Sequence, residues 1–344
     1  MNLYSQNTAL ANTSSSPLQD ADCAARRRQS LDIDCFRKAS LAAEAARLAF
    51  SPVTPDDMDL IWSYLRRETG RTTDFSYGGV LMWVDFFQYE YAIARDTLFI
   101  KGKVEGDLSK TAFSMPVGDM PLDEAVTIIR EYCINNEIQC IFSAVPQYRL
   151  EEFLALDPAT VEEIPDWADY LYSAESLATL SGKKYGKKRN HVNQFLAAYP
   201  EWSLEPLTAE NAPEALAFMD AIDSEGDRIE MAIKERQLNR KTLKQIVAGD
   251  KIYKGVILRG GGQMLGFTIG DVKGDTLFIH IEKALREAPG AFEMINKEFA
   301  AAMLAENPAI RYINREDDAG DIGLRLAKES YHPVEMLAKY NIRF

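Results

Sequence analysis

Cysteine, histidine and long apolar runs are all scarce in this chain. It has four cysteines, Cys23, Cys35, Cys133 and Cys140, and three histidines in 344 residues. No CxxC occurs, and no Cys or His stands at a zinc-like spacing, so neither a disulfide framework nor a metal knuckle is expected. No apolar run approaches the ~20 residues of a membrane-spanning helix. The start has no basic-then-apolar leader pattern. Cytosolic usage follows, and the expected location is cytoplasmic. Basic charge is also in short supply. The formal net charge is -13, and residues 1–50 are nearly balanced, so the acidity lies in the rest of the chain. Such a surface argues against a broad nucleic-acid face and against DNA as a partner. There is no GxSxG elbow, Walker loop or HExxH.

What is present is a sizeable apolar fraction, 47%, enough for about two domains. Residues 1–20 are polar and aperiodic and read as disordered, and 35–50 read as an Ala-rich helix. Thr54-Pro55-Asp56-Asp57 has the residues of a helix start. A helix, three strand-like segments, a helix from Leu122 and a strand Cys140–Val145 follow. After a linking stretch of about 150–199, the order repeats. It runs as a helix after Thr208, a helix over about 230–247, strands at 254–259, 264–272 and 275–282, a helix Ala291–Glu306, a strand at 311–314, a helix 321–331 and a last strand. The expectation is an α/β (α+β) chain: an extension 1–50, a first domain 51–172 and a second domain 173–344, each a mixed, mostly antiparallel sheet flanked by helices.

Chemistry concentrates in two strand ends and one basic run. In Asp275–Ala291, period-two alternation puts Leu277, Ile279 and Ile281 on one face, with Phe278, His280 and Glu282 on the other. An imidazole and a carboxylate then sit together, with Lys283 at the strand end. The helix start at Gly290 and Ala291 offers N–H groups and a positive dipole end. Tyr312–Asp318 crowds polar residues, Asn314 and Arg315 among them, at the carboxyl end of a strand, where ligands bind in α/β sheets. The run Lys187, Lys188, Arg189 and His191, with Lys183 and Lys184 before it, could meet a phosphate-bearing acceptor. Gly260-Gly261-Gly262 joins two strands, so it reads as a hairpin turn and not as a phosphate loop. Each stretch also has a plainer reading, as a surface ion pair or a solvated face.

Taken together, HIEKA (280–284), INRED (313–317), SYHPV (330–334) and KKRNHVNQF (187–195) resemble the bacterial domain family related to the C-terminal catalytic domain of phosphatidylglycerol lysyltransferase. The resemblance covers roughly residues 50–344. It implies a tandem GNAT-like fold and transfer of an aminoacyl group from charged tRNA to a lipid head group or amine. Where those relatives read Asp-Leu-Met-Arg, this chain reads His280-Ile281-Glu282-Lys283. The acetyl-CoA branch of that superfamily uses R-x-x-G-x-G/A for pyrophosphate. From Arg286 this chain has Pro289 in place of the first Gly, which removes an N–H, and Ala327 where a Tyr acid is usual. The resemblance implies Glu282 or His280 as general base, Lys283 as charge stabiliser, and Gly290, Ala291, Asn314, Arg315 and Tyr331 around the donor. Lys187, Lys188, Arg189 and His191 would meet the tRNA end or acceptor. An acyl-CoA-dependent N-acyltransferase and a non-catalytic binder on the same fold are the alternatives. No metal is expected.

Overall fold

The computed structural model describes residues 35–104, 107–223 and 230–344, the side chains of 223–236 excepted. The expected disorder of residues 1–20 lies outside them. The helix at 35–47 is present, and it buries Leu41 and Ala45, with Leu48 just beyond it, in the core.

Two sheets form the frame. The first runs in the order 51–52, 90–94, 97–104, 107–113, 141–146, 339–343, 160–163, with 117–118 beside 97–104. The second runs 335–337, 169–173, 312–314, 276–284, 263–273, 254–260, 203–206. Both are mostly antiparallel, and each contains one parallel contact: Phe113 with Phe142 in the first, and Thr276–Phe278 with Tyr312–Asn314 in the second. Helix Leu122–Asn135 connects the parallel strands of the first sheet, and helix Ala291–Glu306 those of the second. The repeated element order is therefore a repeated topology.

The expected boundary after 172 does not follow the sheets. Residue 172 lies inside the strand Asp169–Ser173, which pairs with 312–314 and 335–337 of the second sheet. The last strand, Lys339–Arg343, pairs with 141–146 and 160–163 of the first sheet. Each half thus lends the other a strand next to its parallel pair. Lys339 marks the seam. It is buried, with its ammonium 2.8 Å from half-buried Asp74 and 2.8 Å from buried Asp169, so an ion triad ties the exchanged strands. The stretch 150–199 is not a plain linker. It holds the strands 160–163 and 169–173 and the helices Ala174–Thr179 and Gly186–Ala198.

Two cores result. One fills the first half and continues onto one face of the second sheet through Phe267, Ile269 and Ile281. The other lies on the opposite face of that sheet, under helix Ala291–Glu306, and includes Leu277, Ile279, Phe195 and Phe299. Phe292, on the same helix, is 39% exposed.

Candidate active site

Strand Thr276–Ala284 does not alternate throughout. Ile269 pairs with Ile281 and Gly270 with Ile279, so His280 has no partner across the ladder. This is a β-bulge, and it reverses the alternation beyond it. Leu277 and Ile279 enter one core and Ile281 the other. The expectation that Leu277, Ile279 and Ile281 share a face fails for this reason. So does the pairing of His280 with Glu282, which the bulge sends to opposite faces.

His280 turns toward the first half. Its Nε2 donates to Asp271 Oδ2 at 2.7 Å and its Nδ1 to Glu316 Oε1 at 2.7 Å. Asp271 Oδ2 also accepts the N–H of Gly78 at 2.7 Å. A Cβ on Gly78 would collide with the imidazole, so only glycine lets this backbone lie on the ring. Both acceptors are carboxylates, so both ring nitrogens must carry protons. Burial pulls the imidazolium pKa down, but Asp271 and Glu316 outweigh it and hold it at about 10. A buried ring with both N–H groups committed has no lone pair to receive a proton. His280 is a clamp that locks Asp271 and Glu316 together under the Gly78 backbone of the first half, which removes it as a general base.

Asn314 belongs to the same seam. Fully buried, its Nδ2 donates to the Arg71 carbonyl at 2.7 Å and to Asp169 Oδ2 at 2.8 Å. Its Oδ1 accepts from the Glu316 N–H at 2.6 Å. It holds the two halves in register and is unavailable to a donor.

Glu282 faces the other way, into a wedge. Beyond Phe278 and Asn314 the parallel pairing stops, and the chain at Arg315 turns away to bond Tyr170. Glu282 stands on one wall of the opening and Arg315 on the other. Arg315 Nη2 bridges the gap to Glu282 Oε1 at 2.8 Å, with the two side chains 13% and 10% exposed. Asn296, one turn into helix Ala291–Glu306, donates its Nδ2 to Glu282 Oε2 at 3.0 Å. A carboxylate only accepts, so the amide must present its NH2 there and turn its oxygen away. That Oδ1 is buried with no partner, and so is Arg315 Nη1. The wedge therefore keeps one unused acceptor and one unused donor, a costly arrangement that calls for a reason.

Tyr331 and Lys188 close the wedge. The Arg315 guanidinium lies 4.8 Å from the Tyr331 ring centroid, and the Lys188 ammonium 3.7 Å from it. Lys188 also reaches Glu293 Oε1 at 3.3 Å. Burial lowers the Lys188 pKa despite Glu293, and burial raises the Tyr331 hydroxyl well above its usual value. The Glu282 carboxylate outweighs burial and keeps Arg315 cationic. This is a compact charged cluster, Glu282–Arg315–Lys188–Glu293, on an aromatic floor.

The basic run 187–191 divides. Lys188 points inward, Lys187 and His191 are exposed, and Arg189 caps the preceding helix by donating to the Leu180 and Gly182 carbonyls, each at 2.6 Å. Lys283 stands opposite Phe267 in the ladder and leaves the strand on the face away from Glu282. Gly290 has φ +73°, and the His191 carbonyl packs onto its Cα where a side chain would stand. Ala291 is buried, and its N–H donates to the Ala288 carbonyl at 3.2 Å. Those two residues serve helix packing and present no open phosphate cradle. Sequence reasoning missed Asn296 and Glu293. The signal for Asn296 was a polar residue inside the apolar stripe of Ile295 and Phe299.

No helix among the described residues is long and apolar enough to cross a membrane. Among the same residues no group of three or more His, Cys, Asp or Glu could hold a metal ion.

No curated protein is detectably similar to the chain. Solved structures are. A conserved protein of unknown function from Bacteroides thetaiotaomicron is 31% identical, with TM-score 0.79 over 86% of this chain and 99% of that one. L-PGS from Bacillus licheniformis shares the fold at 13% identity, with TM-score 0.57 over 84% of this chain and 91% of that one. FemX shares it at 8% identity, with TM-score 0.55 over 85% and 97%. The family profile "Phosphatidylglycerol lysyltransferase, C-terminal" matches residues 66–343. The match spans most of the chain, whose two halves repeat one sheet plan: the chain belongs to the phosphatidylglycerol lysyltransferase C-terminal family, aminoacyl- and acyl-transferase proteins.

Proposed function

We propose that the chain transfers an aminoacyl group from charged tRNA to a lipid head group or amine, with the reaction at the Glu282–Arg315 wedge. The observation that carries this reading is that the two side chains holding Glu282 each keep a buried, unused polar atom, Arg315 Nη1 and Asn296 Oδ1. An aminoacyl ester offers what both lack. Its carbonyl oxygen accepts from Arg315 Nη1, and its α-ammonium donates to Asn296 Oδ1. An acyl-CoA has the carbonyl but no ammonium. Pro289 and the covered Gly290 also count against a CoA pyrophosphate at this helix start.

The mechanism uses direct attack. The acceptor hydroxyl or amine loses a proton to Glu282 as its heteroatom bonds the ester carbonyl carbon. Arg315 stabilises the charge that develops on the carbonyl oxygen. The intermediate then expels the ribose oxygen, which takes the proton back from Glu282. Asn296 is a positioning residue, because it fixes the carboxylate rotamer. Exposed Lys187 and His191, with Lys183 and Lys184, supply cationic contacts for the tRNA end.

The test is transfer of label from tRNA charged with mixed radiolabelled amino acids, with and without phosphatidylglycerol vesicles. Label should reach the lipid or another acceptor, and Glu282→Gln should cut turnover at least ~10²-fold with the fold intact. Full transfer by Glu282→Gln would remove Glu282 from the chemistry. No transfer under any condition would leave the chain a binding protein.

A further inference from the structure

The first half has a wedge of its own, and it is open. Strands Asp107–Phe113 and Ile141–Pro146 touch in parallel at one pair and then separate. Past their carboxyl ends lies a cavity of about 290 Å³. Its walls include Arg67 and Glu68, the first turn of helix Leu122–Asn135, and Tyr148 and Arg149 just past the second parallel strand. As in the second half, an arginine stands just past the second parallel strand, but here the carboxylate comes from the segment after helix Met58–Leu65 and not from the first parallel strand. A carboxylate and an arginine recur there. Glu68 is buried, and its Oε2 stands 3.8 Å from Arg149, looser than the 2.8 Å of Glu282 and Arg315. Glu68 Oε1 accepts from the Gly70 N–H at 2.8 Å and from the Tyr148 hydroxyl, so the carboxylate is fixed at the cavity wall.

We infer that this cavity is a second ligand site, for a small amphoteric molecule of the free α-amino-acid class. Its volume is at the lower limit for small-molecule pockets, ~300 Å³, which excludes nucleotides. Charges of both signs line it: Arg67, paired with Asp96 at 2.9 Å, and Arg149, Glu68 and Glu152, with Arg149 donating to Glu152 at 2.9 Å. Leu122 opens a helix, so its backbone N–H has no acceptor within that helix. The acidic residues of that turn are already spent, Asp123 on Arg37 and Glu124 on Arg37 and Arg95. A ligand carboxylate fits the helix start and Arg149, and a ligand ammonium fits Glu68 and the Tyr148 oxygen. A purely anionic ligand would meet Glu68, and a purely cationic one the two arginines. The inference concerns the half that the transfer reading leaves unused and does not depend on that reading.

The test is calorimetric titration of the full chain with each of the twenty free L-amino acids, with acetate, methylamine and inorganic phosphate as single-charge controls. At least one amino acid should bind saturably at one per chain, and the three controls should not. Glu68→Gln should weaken that binding at least ~10-fold, and Glu282→Gln should leave it unchanged. Because Glu68 is buried, Thr69→Trp, at the exposed mouth, gives a second test and should also abolish binding. No saturable binding up to high millimolar concentration would overturn the inference. So would binding that Glu282→Gln removes while Glu68→Gln and Thr69→Trp keep it, since the ligand would then occupy the other wedge. The transfer assay reads the other site independently.

Discussion

In the second half the wedge is bridged by Glu282 and Arg315 at 2.8 Å and closed by Lys188 over Tyr331. In the first half a cavity past the parallel strands holds Glu68 and Arg149 at 3.8 Å. The difference comes from what lies against each wedge. The second half has the helix Gly186–Ala198, which brings Lys188 down onto Tyr331 and presses the His191 carbonyl onto Gly290. The pocket walls of the first half include no helix of that kind. One plan thus yields a tight cluster with two unused polar atoms and a roomier pocket with mixed charge.

Separating the halves should have the largest effect. A chain cut after residue 172 leaves each sheet short of a strand, and neither piece should unfold cooperatively in urea when expressed alone. A sharp transition in either piece would show that the strand exchange is dispensable.

Breaking the seam without cutting it comes next. His280→Ala leaves Asp271 and Glu316 without their cation and should cost ~3–5 kcal/mol, read as a drop in the urea midpoint. The pH dependence has a definite sign. His280 is held at about 10, above its usual 6.5, so the native state keeps a proton that the unfolded state has lost. Its contribution is complete below pH 6.5 and disappears as pH rises to 10. The wild type should lose stability from pH 7 to 10 more steeply than His280→Ala, and parallel curves would refute the clamp. Lys339→Met should have an effect of similar size, because Asp74 and Asp169 lose the ammonium they share.

The wedges themselves separate at the next level. Arg315→Lys should lower turnover ~10-fold or more, because a point charge cannot reproduce the planar fork that spans Glu282 and the donor. Arg149→Lys should leave transfer within about two-fold, since Arg149 stands in the cavity of the other half. Equal losses in the two variants would erase the functional distinction between the halves. The smallest effect belongs to Lys187→Glu. It should move stability by less than about 0.5 kcal/mol while raising KM for charged tRNA in a salt-dependent way.

Much of this was readable in the chain. Helices at 122–135 and 291–306 follow their apolar stripes, and the strands around them follow their alternation and turns. The motif set pointed to the family, and Glu282, Arg315, Tyr331 and Lys188 do come together. What could not be read is what period-two logic hides. One extra residue at His280 turns a strand over, and nothing local distinguishes a bulged imidazole from an alternating one. The exchange of strands 169–173 and 339–343 is a choice of partner, which a strand's own residues do not encode. Arg189 differs from Lys188 only by which way the helix turns it, and that depends on packing against Tyr331 and the end of the helix before it.

The exchanged strand also sets an order of events during synthesis. Strand 141–146 is an interior member of the first sheet, but its neighbour 339–343 is translated almost two hundred residues later. At ~5–20 residues per second that gap is roughly 10–40 s. Through that interval the nascent first half exposes an unpaired edge beside Val145 and Phe142 while the ribosome is still decoding the second. Until Lys339 emerges to meet Asp74 and Asp169, that edge is open to pairing with any other strand.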